Sequence, residues 1–243
     1  MSIMCKRAVV LAGGKGQRLR PYTVALPKPL MPLGEYPILE IIVRQLSYRG
    51  FGHITMAVNH QADIIRAYFG DGSKWNVRID YSLETKPLGT IAPLSLIEDL
   101  PEDFLLINGD VLTDLDFLQL YNGHVTGHRP FTIASSRRQN IVDYGVLQVD
   151  GSGTLTGFSE KPTMDYLVSM GVYVVNRKLL TFIPKDQKFG FDDLMVACLD
   201  RGHAVHVEVH NGYWLDIGRP DDYMVAVDEF EKRKSQLLME RDE

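Results

Sequence analysis

The sequence predicts an α/β fold, a three-layer sandwich around a mixed, mainly parallel sheet. Three observations carry that expectation. Short apolar runs alternate with helix-period patterns through the first half, as in strands joined by crossover helices. The second half is richer in strands, which calls for a mixed sheet. With 243 residues, 45% of them hydrophobic, the chain can bury a sizeable core in one domain.

The elements follow in order. Residues 8–11 form strand one. Residues 37–49 read as a helix, with Pro37 suited to its first turn and Ile38, Ile41, Ile42 and Leu46 on one face. Residues 54–58 are strand two, 62–69 a short helix and 77–82 strand three. A helix is expected over 90–98 with Pro93 near its start. Residues 104–107 are strand four, and a helix is expected to begin at Asp114 and run through 121. Strands then follow at 131–134, 146–149, 155–158, 168–175 and 204–209, and 220–239 reads as a terminal helix. There is no repeat and no low-complexity linker, so a single domain over 1–243 is expected.

Composition narrows the function. A net charge of -5 argues against a general nucleic-acid binder, which needs a basic surface. Cys5 and Cys198 stand far apart with no His/Cys cluster, so neither a disulfide framework nor a zinc site is indicated. The seven histidines show no ligand spacing, and His203 and His206 read as strand-edge surface residues. No apolar run reaches the roughly 18 residues of a membrane span, and no signal peptide is visible. A cytoplasmic protein without a membrane partner is expected.

The richest segment is 9–33, VVLAGGKGQRLRPYTVALPKPLMPL. Strand one breaks into Gly13, Gly14 and Gly16, with Lys15, Arg18 and Arg20 interleaved and Lys28 between two prolines. Glycines let backbone N–H groups approach an anion, and the cations neutralise it. A Walker loop would need Ser or Thr after Gly14-Lys15, but Gly16 stands there. A dinucleotide fingerprint would need a third glycine where Leu19 stands, and the acidic ribose partner is absent, which counts against an oxidoreductase. A polyphosphate cradle fits better than an ordinary strand-to-helix turn. Strand four ends in Asn108-Gly109-Asp110, at the sheet edge where α/β folds bind ligands. Asp110 there can reach a metal or serve as a turn or N-cap residue.

LAGGKGQRLRPYT followed by PKPLMPL resembles the signature of sugar-1-phosphate nucleotidylyltransferases, with Gln17 where Thr is usual. Later segments match in order. Tyr144-Gly145-Val146 resembles the family's YGV element, Glu160-Lys161-Pro162 its EKP element and Gly171-Val172-Tyr173 its G-x-Y strand. Trp214-Leu215-Asp216-Ile217-Gly218 resembles its late acidic segment. The family often has Asn-Ala before the glycine of G-x-Y, where this chain has Ser169-Met170.

The resemblance implies a Rossmann-like catalytic domain of the nucleotide-diphospho-sugar transferase type. It implies a nucleoside triphosphate bound by Leu11, Ala12, Gly13, Gly14, Lys15, Gly16, Glu84 and Gly89. It implies a sugar 1-phosphate bound by Asn108, Gly145, Glu160, Gly171 and Tyr173. Arg18, Lys28 and Lys161 would be catalytic, and Asp110 and Asp216 would hold Mg2+, a hard cation suited to carboxylates and phosphate oxygens. Asp221 and Asp222 read as first-turn residues of the last helix. The partners implied are the two substrates and a homodimer. The β-helix that family members often carry after this domain is not expected.

The segment 84–90, ETKPLGT, resembles the family's base-reading loop. Relatives using thymidine or uridine nucleotides usually have Gln where Glu84 stands. Guanine presents N1–H and N2–H2 side by side, and an acceptor-only carboxylate can take both. GTP is therefore expected, with mannose- or heptose-1-phosphate guanylyltransferases as the nearest look. The alternatives are UTP, dTTP or CTP with another sugar phosphate, or a non-catalytic regulatory subunit. The last should have lost Arg18, Lys28, Asp110 or Lys161, and all four are present.

Overall fold

The computed structural model describes residues 6–14, 16–59 and 61–239. Lys15, Cys5 and His60 lie outside the described residues. The elements are β1 (Arg7–Leu11), β2 (Pro32–Leu33), β3 (Tyr36–Pro37), α1 (Ile38–Tyr48), β4 (His53–Val58), α2 (Ala62–Phe69), β5 (Arg78–Leu83), β6 (Asp103–Asn108) and β7 (Val111–Thr113). They continue as α3 (Phe117–Thr126), β8 (Phe131–Ile141), β9 (Val146–Val149), β10 (Leu155–Ser159), β11 (Thr163–Asn176), α4 (Phe191–Asp200), β12 (Val205–His210), β13 (Trp214–Asp216) and α5 (Pro220–Leu238).

Seven strands form one sheet in the order β12-β8-β11-β6-β1-β4-β5. β6, β1, β4 and β5 are mutually parallel, as is the β12–β8 pair, whereas β11 runs antiparallel to β6 and β8. The expected mixed, mainly parallel sheet is what forms. Its strands are apolar on both faces because layers cover both. On one face Val10, Met56, Leu105 and Val172 pack against α1, α2 and α3. On the other, Val9, Leu106 and Tyr173 pack against α4 and the turns at 91–97 and 177–182. A third cluster seats Phe230 of α5 against Ile38 and Ile41 of α1. Among the described residues no helix is long and apolar enough to cross a membrane.

Two helix expectations are corrected. The segment 90–98 forms only a 3-10 turn, Ala92–Leu96. The Ile91 and Ala92 amides donate to Phe189 O at 3.1 and 3.0 Å, which pins the segment to the loop before α4, and the amides that follow close i→i−3 bonds, Leu94 to Ile91 O at 3.0 Å and Ile97 to Leu94 O at 3.2 Å. The helix expected from Asp114 starts at Phe117. Asp116 caps it, Oδ1 accepting from the Leu118 and Gln119 amides at 3.0 Å each. Asp114 instead bonds His210 Nε2 and accepts from Gln236 Nε2, both at 2.7 Å. Helix α4 has no clear sequence signal, because Val196 and Leu199 sit on its solvent side and blur the apolar stripe. As expected, Asp221 and Asp222 lie in the first turn of α5, where Asp222 accepts from the Gly218 amide at 3.2 Å.

A buried histidine gives the fold a pH dependence. His124 is fully buried, with Nδ1 2.9 Å from Thr132 Oγ1 and Nε2 3.3 Å from Asp103 Oδ1. Burial holds its imidazole below the usual value, and the opposing pull of Asp103 does not cancel this. The unfolded chain therefore binds this proton first. The stabilisation is complete above about pH 6.5 and is lost as pH falls from there through the lower folded value. Thermal unfolding at about pH 7.5 and about pH 5.5 is expected to show a larger loss of Tm for wild type than for His124→Gln. An equal loss in both would refute this.

Candidate active site

The carboxyl ends of β1, β4, β5 and β6 open on one edge of the sheet, and many of the side chains expected from sequence to be functional gather there. β1 runs into Ala12, Gly13 and Gly14, with the Ala12 amide held by Ala57 O at 2.9 Å. Gly16 has φ 54 and its carbonyl accepts from Thr23 Oγ1 at 2.7 Å, which folds the cation-bearing segment back over the strand end. A Cβ on Gly16 would stand 2.9 Å from Thr23 Cγ2, so glycine is required there. The chain then turns through Gln17–Leu19 and Lys28–Leu30, two short 3-10 segments that present Arg18 and Lys28.

Lys28 Nζ forms an ion pair with Asp110 Oδ2, both side chains being largely buried. Asp110 follows β6 and Gly109, whose amide donates to Leu11 O at 3.0 Å. A Cβ on Gly109 would lie 3.0 Å from that same carbonyl oxygen, so this glycine lets Asp110 approach the opening loop. The antiparallel pair β7–β13 sets Asp216 opposite Val111, and the Ile217 amide donates to Asp110 O at 3.1 Å. Two aspartates far apart in sequence thus become neighbours. The surroundings push the Asp216 carboxyl up, through desolvation first and then the charge of Asp110, while Lys28 and Arg18 pull the other way. Such a carboxylate pair has the oxygen donors that suit a hard divalent cation. Among the described residues no three His, Cys, Asp or Glu side chains gather as a metal site.

The resulting cleft is about 960 Å³ and is lined by Gly13, Gly14, Gly16, Arg18, Lys28, Glu84 and Asp110, all predicted from sequence. A contiguous lobe of about 280 Å³ adds Leu11, Gly89 and Asn108. Ala12 is buried beneath the loop. Gly89 has φ +95, and a Cβ there would meet Phe189 O at 2.9 Å, so the lobe wall closes only on glycine.

Several expectations are revised. The Gly14 amide, expected to face phosphate, donates to Asn59 Oδ1 at 3.0 Å. Glu84 is expected to offer both oxygens to a base, but Oε1 accepts from the Leu88 amide at 2.5 Å and Oε2 from Asn59 Nδ2 at 3.1 Å. Each oxygen keeps a second lone pair for a ligand. Tyr173, expected on the sugar side, packs in the core. Its ring stacks on Phe191 at 4.5 Å, its hydroxyl accepts from Ser169 Oγ at 3.0 Å, and burial pushes that hydroxyl up to about 12.

The residues expected on the sugar side divide. Gly171, with φ +74, marks a break in the β8–β11 register, and a Cβ there would lie 2.6 Å from Asn108 Nδ2. These two therefore meet at the cleft edge. Beyond the break, β8 and β11 continue as a two-stranded arm that leads to β9–β10. Gly145 and Glu160 sit together there, a Cβ on Gly145 falling 3.1 Å from Glu160 Oε2. Lys161 is exposed with φ 44 and does not line the cleft.

Sequence reasoning misses Asn59 and Lys188 as lining residues, and reaches Lys86 only as part of the segment 84–90. Asn59 follows the carboxyl end of a parallel strand, the same signal that singles out Asp110. Lys188 carries no such signal. It is delivered by the loop before α4, whose Phe189 amide donates to Leu88 O at 2.8 Å.

A family model described as "Nucleotidyl transferase" matches residues 7–233, almost the whole of this site and fold. The chain belongs to the nucleotidyl transferase family. Among curated relatives, this nucleotidyl transferase is 31% identical over 241 residues to a UTP–glucose-1-phosphate uridylyltransferase of Synechocystis sp.. That match covers 91% of the chain and 62% of the relative. It is also 31% identical to a mannose-1-phosphate guanyltransferase of Emericella nidulans, covering 96% of the chain and 67% of the relative. The chain thus spans about 62% of the first relative's length. Among solved structures, HddC from Yersinia pseudotuberculosis superposes with a TM-score of 0.73 at 26% identity, covering 93% of this chain and 99% of that one.

Proposed function

We propose that this nucleotidyl transferase joins a nucleoside triphosphate, GTP, to a sugar 1-phosphate of the mannose or heptose type, releasing pyrophosphate. The observation that carries the reading is the Lys28–Asp110 pair on the floor of a cleft rimmed by the glycine loop and Arg18. A phosphate oxygen of the sugar 1-phosphate attacks the α-phosphorus in line. A new O–P bond forms as the bond from the α-phosphorus to the bridging oxygen breaks, and that oxygen leaves with pyrophosphate. No covalent enzyme intermediate is needed, so positioning and charge neutralisation supply the catalysis.

Arg18 and the Gly13 and Gly16 amides stabilise the leaving β- and γ-phosphates. Lys28 sits where charge builds at the α-phosphate. Lys161, carried by the arm, orients the attacking phosphate. Asp110 and Asp216 would hold Mg2+, which supplies Lewis-acid neutralisation of phosphate charge. Support for GTP comes from Glu84, whose remaining lone pairs are acceptors at the smaller lobe, and from the guanyltransferase names among relatives. Support for a UTP or dTTP reading is the prior engagement of both Glu84 oxygens and the uridylyltransferase name at equal identity.

A matrix of nucleoside triphosphates against mannose, heptose, glucose and N-acetylglucosamine 1-phosphates, read by pyrophosphate release, tests this. The highest kcat/KM is expected for GTP with a mannose or heptose phosphate. Preference for a pyrimidine nucleotide would overturn the base assignment and leave the reaction class standing. No pyrophosphate from any pair would overturn the class.

A further inference from the structure

Three adjacent parallel strands, β1, β4 and β5, end side by side, and a side-chain chain of hydrogen bonds crosses their tips. The Gly14 amide donates to Asn59 Oδ1 at 3.0 Å. Asn59 Nδ2 donates to Glu84 Oε2 at 3.1 Å, and Glu84 Oε1 accepts from the Leu88 amide at 2.5 Å. The amide orientation of Asn59 is dictated by its neighbours, since a backbone N–H can only donate and a carboxylate can only accept. Backbone contacts hold the members in line: the Ala12 amide reaches Ala57 O at 2.9 Å and the Glu84 amide reaches Val58 O at 2.8 Å. Gly13 makes room, because a Cβ there would lie 3.0 Å from Asn59 Nδ2. One end of this chain is the loop that faces the polyphosphate. The other end shapes the lobe expected to take the base.

We infer that Asn59 and Glu84 are positioning residues that hold the glycine loop and the base loop in one conformation, so that the polyphosphate meets a preset site. The inference rests on the reading that a polyphosphate sits on the glycine loop. Asn59 fixes the loop by taking the Gly14 N–H. Glu84 fixes Asn59 and the turn at Leu88. Glu84 is also an acid beside a polyanion site, and charge alone says that removing it strengthens anion binding. The relay says the opposite, because the loop loses its preset shape.

The test uses inorganic tripolyphosphate, a base-free probe, and calorimetric binding to the full chain. Glu84→Gln sets an amide donor against either Asn59 Nδ2 or the Leu88 N–H, and Asn59→Asp sets an oxygen against Glu84 Oε2. Each single variant is expected to bind tripolyphosphate roughly fivefold or more weakly, the worth of about one hydrogen bond. The double variant, Asn59→Asp with Glu84→Gln, rebuilds the chain with reversed polarity. The carboxylate introduced at position 59 would accept from the Gly14 N–H and from the amide introduced at position 84. The oxygen of that amide would accept from the Leu88 N–H. The net charge of the double variant equals that of wild type, and its affinity is expected to return to within about twofold. A general loss of folding would not be repaired by the second substitution. If Glu84→Gln binds as tightly as wild type or tighter, or if the double variant is no better than the weaker single one, the relay is refuted while the polyphosphate reading stands. If wild type itself fails to bind tripolyphosphate, that reading falls and the relay with it.

Discussion

Asp110→Asn is expected to lower kcat by roughly 10²–10³, the scale found when one preorganised charge-stabilising group is removed, while Tm stays within a few degrees of wild type. The two effects separate because Asp110 does different work in each state. In the resting protein it pairs with Lys28 but also loads charge onto Asp216, whose carboxyl is pushed up partly on that account. The asparagine oxygen still accepts from Lys28, Asp216 remains as a counter-charge to it, and one carboxylate repulsion is relieved, so stability changes little. In the proposed reaction nothing replaces its carboxylate as a holder of the cation. Lys28→Met is expected to cost a similar factor in kcat, by leaving charge at the α-phosphate unneutralised. Steady-state kinetics with the preferred substrate pair, run beside thermal unfolding, checks both variants. Near wild-type kcat in either would remove that residue from the catalytic assignment.

Phe104→Ala is expected to do the reverse. Phe104 lies on central strand β6, is fully buried and packs in the cluster with Phe131 and Tyr173. Truncation forfeits the transfer energy of the ring and leaves a cavity that strands held on both sides cannot collapse into. The cost is about 3–5 kcal/mol, or a fall in Tm of roughly 6–20 °C for a domain of this size. The same strand carries Asn108 at its far end, about 13 Å away at ordinary strand rise. Activity per folded molecule at low temperature is therefore expected to stay within about twofold of wild type. A Tm loss of only a degree or two would show that this core repacks freely. A matching collapse of kcat would show that the site and the β6 core are one cooperative unit.

The fold is largely readable because its signals are local. Apolar runs at 8–11, 54–58 and 104–107 are short, bounded and separated by helix-period segments, and they form β1, β4 and β6 with one-residue extensions. The turn at 91–97 escapes such reading because its amides are claimed by Phe189, a residue almost a hundred positions away, which no window of sequence can show. The β7–β13 pair escapes it because three-residue strands have no room for alternation, and their pairing is a tertiary event.

The sequence by itself determined the chemistry on offer: a glycine-and-cation loop, a strand-end aspartate and ordered sugar-side motifs, all coded in contiguous residues. Only the tertiary structure decided how those groups are used. It joined Asp110 to Lys28 and Asp216, drew Tyr173 into the core and left Lys161 on an open arm. It also handed Gly14 and Glu84 to Asn59. The physical reason is range. Backbone conformation and periodicity are set by neighbours in sequence. A hydrogen bond's partner is set by whichever donor or acceptor the packed sheet brings within about 3 Å.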